Sequence, residues 1–172
     1  MTIHSDHPIQ VPEGERRPER RFRGRMPAPV TVIATGTGAD RAGLTVSALL
    51  VADGEPARVL ALVDDESALA GALTDTGTAA ISVLGWAQRS VADVFAGLAP
   101  SPGGPFRTGS WSDSDWGPVL AGCPAWAGCR VAGGEPRPMG WSVLVELTVE
   151  HIELTDDDDE GLAHRRGRYL RA

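Results

Sequence analysis

The sequence predicts a mainly β protein of α+β character, an antiparallel barrel with two short helices packed over one end or edge. Three observations lead there. Short runs rich in Val, Ile, Leu and Thr recur along the chain, each bounded by Gly, Pro or Asp. The 172 residues include 21 Gly and 13 Pro but only 5% aromatics, a balance that favours strands and turns over long helices. Two segments alone show helical spacing, and a glycine ends each of them. The length suits one domain with a sizeable core, and no internal repeat is visible.

Taken in order, residues 1–21 are polar, contain proline and lack periodicity, which predicts a disordered Arg-rich arm, with an ordered domain over 22–172. Val30–Thr35 alternates and is rich in β-branched residues, so it reads as a strand. Gly36–Arg41 turns into a second strand, Gly43–Ala52. After the turn Asp53–Pro56, the apolar run Arg58–Val63 reads as a strand buried on both faces. Ser67 is a helix N-cap, Ala68, Leu69, Ala72 and Leu73 give the helix its apolar face, and Gly77 ends it. Ala79–Leu84 is a short buried strand. Trp86–Ala96 follows as a helix with Val91, Val94 and Phe95 on one side and Gly97 as its stop. Ala99–Pro118 reads as a long loop. A strand lies within Leu120–Val131, and Trp141–Leu154 is the longest strand, with Val143, Val145, Leu147 and Val149 facing one way. Asp156–Glu160 is a charged loop tip, and Ala163–Leu170 a last strand.

Charge narrows the function classes. Net charge is −7, and every basic residue is Arg. Six arginines lie between Arg16 and Arg25, four between Arg165 and Arg171, and six among the nineteen Asp and Glu of residues 26–164, whose formal charge is −13. Such a body repels DNA and RNA, so no nucleic-acid partner is expected; the Arg-rich arm can be read as a nucleic-acid tail, but its short length and interspersed Glu favour an arm that is solubilising or pairs with acidic surface of its own chain or a partner subunit. No apolar run approaches the roughly 18 residues of a membrane span, and MTIHSDHPIQ lacks the apolar centre of a signal peptide. A cytoplasmic protein with no membrane partner is expected. Cys123 and Cys129 lack a usual zinc spacing and read as buried thiols; with His151 and His164 isolated, no metal site is expected.

The chemistry concentrates in Val30–Leu69. Gly43-Leu44-Thr45-Val46-Ser47-Ala48 sets two hydroxyls at alternating strand positions, facing the same way, behind a glycine that allows close approach to the backbone. The following strand ends at Asp64-Asp65-Glu66-Ser67, where a helix begins. A hydroxyl strand beside a helix N-terminus can cradle a phosphorylated cofactor. GxxxxGK[ST], GxGxxG after a strand and GxSxG are all absent.

VTVIAT, GLTVSALL, EPARVLALV, Ser67, Gly77-Thr78-Ala79-Ala80-Ile81-Ser82-Val83-Leu84, Gln88 with Phe95-Ala96-Gly97, and His164-Arg165-Arg166-Gly167-Arg168-Tyr169 occur in the order and spacing of the flavin reductase-like family. The resemblance covers roughly residues 22–170. It implies an FMN-binding split barrel, usually a homodimer, passing hydride from NAD(P)H to FMN or FAD, with the reduced flavin diffusing to an oxygenase partner. It places Gly43, Leu44, Thr45, Ser47 and Ala48 along the flavin ring and ribityl chain, continues that wall through Leu62, Val63, Asp64 and Asp65, and puts Ser67 at the phosphate. It names no catalytic residue here. Two departures stand out. Asp64, Asp65 and Glu66 occupy a region where the family often carries Lys or Arg near the phosphate. Gly140-Trp141-Ser142 stands where the family often shows Gly-Asp-His. These departures motivate a competing reading, a non-catalytic split barrel that binds flavin, another small ligand or a protein partner.

Overall fold

A computed structural model describes residues 17–134, 136–155 and 160–172. The elements in chain order are α1 (Pro18–Arg23), β1 (Ala28–Pro29), β2 (Thr31–Thr35), β3 (Ala42–Val46), β4 (Leu49–Ala52), β5 (Arg58–Asp64), α2 (Ala68–Thr76), β6 (Thr78–Val83), α3 (Arg89–Phe95), β7 (Trp111–Ser114), β8 (Gly117–Leu120), β9 (Ala125–Val131), β10 (Arg137–Met139), β11 (Ser142–Leu154), β12 (Leu162–Arg165) and β13 (Arg168–Arg171).

The main sheet runs β3-β2-β6-β9-β11-β5-β4, antiparallel at every step, with β10 hydrogen-bonded to β11. Its first and last strands are consecutive in the chain, separated only by Ser47 and Ala48. One segment therefore serves both edges: β3 pairs with β2, then the chain bends and β4 pairs with β5. The Leu62 amide bonds the Ala48 carbonyl at the bend, 2.9 Å. This curls the sheet so that its two ends share one segment, with β3 bonded to β2 and β4 to β5. The predicted single strand Gly43–Ala52 is thus two strands, because its halves have different partners.

The barrel interior is filled by Ile33, Val46, Val59, Ala61, Val63, Ile81, Cys129, Val145 and Leu147, with Leu69 and Leu73 of α2 packed among them. Helix α2 forms as its sequence dictates. Ser67 accepts the Ala70 amide at its start, and Gly77 ends it in the left-handed region (φ 68°). A second cluster lies outside the barrel wall, where Val91, Ala92 and Phe95 of α3 pack with Val32, Ala34, Leu84, Val119 and Leu120. Strand β2 lies between the two clusters, and all five of its residues are buried. In β5 only Val59, Ala61 and Val63 are buried. The expectation of two buried faces fails there, because Leu60 and Leu62 point out of the barrel and are only half-buried.

Three further expectations change. Ala99–Pro118 is not a continuous loop: it holds a 3-10 turn at Pro105–Arg107, strand β7 and the start of β8. The β7–β8 hairpin is polar on its outer side, so sequence periodicity misses it, yet Gly117–Leu120 is fully buried against the barrel. The Leu120 amide bonds the buried Ser82 hydroxyl, 3.1 Å. Ala163–Leu170 is a hairpin, β12–β13, turning at Arg166 and Gly167 (φ 52° and 78°). Within the arm expected to be disordered, residues 1–16 lie outside the described residues, and Pro18–Arg23 is a third helix. Pro18 at its first turn, Glu19 there and three arginines in its last turn suit a helix and its dipole. Residues 156–159 of the charged loop tip also lie outside the described residues.

Cys123 and Cys129 are both free and buried. Burial, then the charge of Glu150, pushes the Cys129 thiol up to about 12.

Candidate functional site

The bend at Ser47 and Ala48 also positions a cleft. Along β3, Ala42, Leu44 and Val46 face the barrel interior, so Gly43, Thr45 and then Ser47 face outward, beneath α3. The helix covers this hydroxyl row from its start. A Cβ on Gly43 would stand 2.7 Å from Cε1 of Phe95 and 3.2 Å from Cζ of Phe106. The glycine therefore makes room for an aromatic ring of the same chain. Phe95, Phe106 and Trp111 pack with ring centroids 5.0–5.1 Å apart. Thr45 Oγ1 donates to the Ala92 carbonyl, 2.7 Å, and so pins α3 to β3. Past Ala96 the helix ends, and from there the row is open.

That opening is a cleft of about 160 Å³ lined by Thr45 and Ser47 of the hydroxyl row, Asp93 and Leu98 of the α3 region, and His164 and Tyr169 of the terminal hairpin, with Gly167 at its rim. The Tyr169 hydroxyl donates to Asp93 Oδ1, 2.6 Å. Burial, then Asp93, raises the Tyr169 pKa above the ordinary phenol value, so the phenol is held as a donor. The His164 and Tyr169 rings meet edge to face, 5.9 Å between centroids. Among the described residues the Ser47 side chain makes no hydrogen bond, so its hydroxyl is available to a ligand.

The sequence-predicted wall divides. Thr45 and Ser47 line the cleft. Leu44 and Val63 turn into the barrel core. Ala48 and Leu62 join β3–β4 to β5 through their backbones. The corner Asp64–Ser67 is a closed turn: the Ser67 amide and Oγ both bond the Asp64 carbonyl, at 3.1 and 2.6 Å, and Asp64 Oδ1 accepts the Glu66 amide at 3.0 Å. Ser67 Oγ also accepts the Ala70 amide, 3.3 Å. Its proton is thus spent within the turn, and Asp64 and Asp65 are exposed beside it. The cleft sets the free Ser47 hydroxyl on one side and the apolar Val30 and Leu98 on the other. At the Asp64–Ser67 corner the Ser67 hydroxyl proton is therefore engaged and carboxylates stand beside it.

Asp93, His164 and Tyr169 carried no role in the sequence reading. The HRRGRY motif marked their hairpin, but its apposition to Asp93 is a contact between residues 76 apart that no local pattern encodes. The tryptophans also find their places. Trp116 and Trp126 stack around His151, with centroids 5.3 and 4.6 Å away, and Trp86 lies under Arg89 and Arg171. Trp111 belongs to the Phe95 cluster, and Trp141 is 57% exposed. Among the described residues, no group of three or more His, Cys, Asp or Glu could hold a metal ion, and no helix is long and apolar enough to cross a membrane.

Residues 23–172 match the family described as flavin reductase like domain. The chain belongs to this family. It is 31% identical over 153 residues to FMN reductase (NADH) RutF 1 of Methylorubrum extorquens strain PA1, covering 88% of this chain and 74% of that one. It is 31% identical over 152 residues to NADH:FMN oxidoreductase of Rhodococcus erythropolis, covering 86% and 77%. Among solved structures, NADH:FAD oxidoreductase SgcE6 of Streptomyces globisporus C-1027 superposes with a TM-score of 0.80 at 27% identity, covering 94% of this chain and 95% of that one. The same protein has been solved in complex with NAD and FAD fragments. The flavin reductase PheA2 superposes at 0.78 with 22% identity, a likeness of fold. Membership accounts for the curled mainly-β barrel and its short helices.

Proposed function

We propose that this member of the flavin reductase-like family reduces FMN, or FAD, with NADH or NADPH. The observation that carries the reading is the cleft at the barrel's bend, where Ser47 and Thr45 meet Tyr169, Asp93 and His164, in a chain whose relatives are named NADH-dependent FMN reductases. A bound flavin would accept hydride at its ring. The protein's part is to bind, orient and exclude water. Ser47 donates to the ligand's polar edge, the Tyr169 phenol, its proton given to Asp93, presents an oxygen that can accept, and Thr45 keeps α3 in place as the roof. Of the wall predicted from sequence, Gly43, Leu44, Ala48, Leu62 and Val63 contribute through backbone or by shaping the barrel behind the cleft, and Asp64 and Asp65 stay at the exposed corner.

The cleft is small. At about 160 Å³ it falls below the roughly 300–1,000 Å³ of ordinary ligand sites. A homodimer supplies the missing wall, and large apolar side chains are exposed for it on β4 (Leu50, 70%; Val51, 64%) and on the end of β11 (Ile152, 57%; Leu154, 71%), which runs past its pairing with β5. An oxygenase receiving the reduced flavin is the proposed partner. Neighbours of the same fold include BorF, the reductase component of a bacterial two-component tryptophan halogenase, and the reductase of a styrene monooxygenase.

The test is a flavin titration followed by NADH oxidation at 340 nm. Tight flavin binding and FMN-dependent NADH loss are expected, with Ser47→Ala weakening the flavin. Flavin binding with no NADH oxidation would instead favour the non-catalytic barrel, for which the missing Gly-Asp-His at 140–142 is the motive. No flavin binding at all refutes both flavin readings. Size-exclusion chromatography with light scattering reads the dimer.

A further inference from the structure

The two arginine clusters that bracket the sequence come together in space. The Arg166 amide bonds the Gly24 carbonyl, 3.0 Å, and Arg165 Nε bonds the Arg25 carbonyl, 3.2 Å, so α1 and the turn of the β12–β13 hairpin form one surface. Helix α1 then reaches Trp141, with the guanidinium carbons of Arg17 and Arg20 at 4.8 and 5.0 Å from its ring centre. Trp141 precedes Ser142, the sheet partner of Asp64. The rim therefore extends from the cleft, where Gly167 is a lining residue, to the acidic corner.

This rim carries five arginines from 17–25 and three from 165–168, with Glu19 the one acid in those spans, on a chain of net charge −7. No ion pair among the described residues engages any of the eight. Seven are exposed and Arg20 is partly so, and Arg165 and Arg168 sit directly opposite one another as like charges, an unfavourable pairing for a hairpin. Such a rim beside the cleft has the charge an anion site requires. Guanidinium forks match phosphate oxygens.

We infer that the rim formed by α1 and the β12–β13 turn, through Arg17, Arg20, Arg166 and Arg168, binds the phosphate of the nucleotide ligand, in place of the Asp64–Ser67 corner. This rests on the flavin reading above. The phosphate belongs to the flavin nucleotide or to the pyridine nucleotide, and binding measurements tell them apart.

The experiment compares FMN, riboflavin and ADP-ribose by fluorescence and calorimetric titration. The proteins are the wild type, Arg17→Ala/Arg20→Ala, Arg166→Asn/Arg168→Gln, Ser67→Ala and Asp65→Arg, with circular dichroism confirming the fold. Asn suits the left-handed backbone at 166. If the flavin supplies the phosphate, the arginine variants lose about tenfold to hundredfold in FMN affinity, keep riboflavin affinity, and show a shallower salt dependence. If the pyridine nucleotide supplies it, ADP-ribose affinity falls instead and FMN is spared. Unchanged FMN and ADP-ribose affinity in both arginine variants overturns the inference. So does FMN binding that tightens in Asp65→Arg and weakens in Ser67→Ala, or single-stranded DNA binding that alone depends on these arginines. Wild type that binds neither riboflavin nor FMN defeats the flavin reading by itself, and the ADP-ribose measurement still reads the rim.

Discussion

Gly43→Ala separates two reasons for a glycine in the hydroxyl strand. If the residue exists to let a ligand approach, alanine should leave the protein stable and weaken the ligand. The structure gives the space to Phe95. A Cβ would meet Cε1 and Cδ1 of that ring at 2.7 and 3.0 Å, both at or below the closest approach side chains adopt. The ring has little freedom to yield, because Phe95 is 4% exposed and wedged between Phe106 and Trp111. Backbone strain is not involved, since Gly43 lies in a regular strand paired with Ala34. Overpacking of this kind costs about 1–3 kcal/mol, which for a domain of this size lowers Tm by roughly 2–4 °C per kcal/mol. Thermal unfolding followed by circular dichroism, without added ligand, should show a drop of about 4–8 °C for a mid-range cost of ~2 kcal/mol. Phe95→Leu in the same background should restore part of it, because the shorter side chain vacates the clash. An unchanged Tm in Gly43→Ala, together with a loss of flavin affinity, would refute the packing account and return the glycine to the ligand.

Other outcomes follow from the same geometry. Ser67→Ala should lower stability by about 1 kcal/mol through loss of the α2 cap, measurable as a shifted urea midpoint. Thr45→Val should lower stability by about 1 kcal/mol by releasing the Ala92 carbonyl, and should also loosen flavin binding as α3 shifts. The raised pKa values of Cys129 and Tyr169 mean that the folded state holds these protons longer than the unfolded chain does. That stability is complete below about pH 9 and is lost as pH rises through the unfolded values of 9.0 and 10.0 toward the folded ones. Urea midpoints measured between pH 8 and 11 should fall, and Tyr169→Phe should flatten the upper part of that decline. A native thiol assay at pH 8 should find Cys123 and Cys129 unreactive and denaturant should reveal both, since burial raises the thiol pKa of each.

Local chemistry was readable wherever it is local. Ser67 and Gly77 bound α2 as their residue types require, Gly97 stops the segment after α3, and the β-branched runs at 31–35 and 78–83 are strands. Readings failed where a neighbour distant in sequence decides. The split of 43–52 depends on β2 and β5 taking different halves. The half-burial of Leu60 and Leu62 depends on how little packs over the outer face of β5. The β7–β8 hairpin is held by Ser82 and the outer core rather than by its own polar residues. At the site, alternation put Thr45 and Ser47 on one face, but nothing local says that α3 covers Thr45 and leaves Ser47 open. The arginine clusters were visible as composition, and their meeting across some 140 residues was not.

The bend at Ser47 and Ala48 makes the barrel's seam and its cleft one piece of chain. A molecule lodged there touches the segment on which both edges of the sheet depend, so opening the barrel would require it to leave. Occupancy should therefore stabilise the protein as a whole by RT ln(1 + [L]/Kd), about 2.7 kcal/mol at a hundredfold excess over Kd. Amide hydrogen exchange should slow on β6 and β9, on the far side of the sheet path from the seam, as well as in β3 and β4.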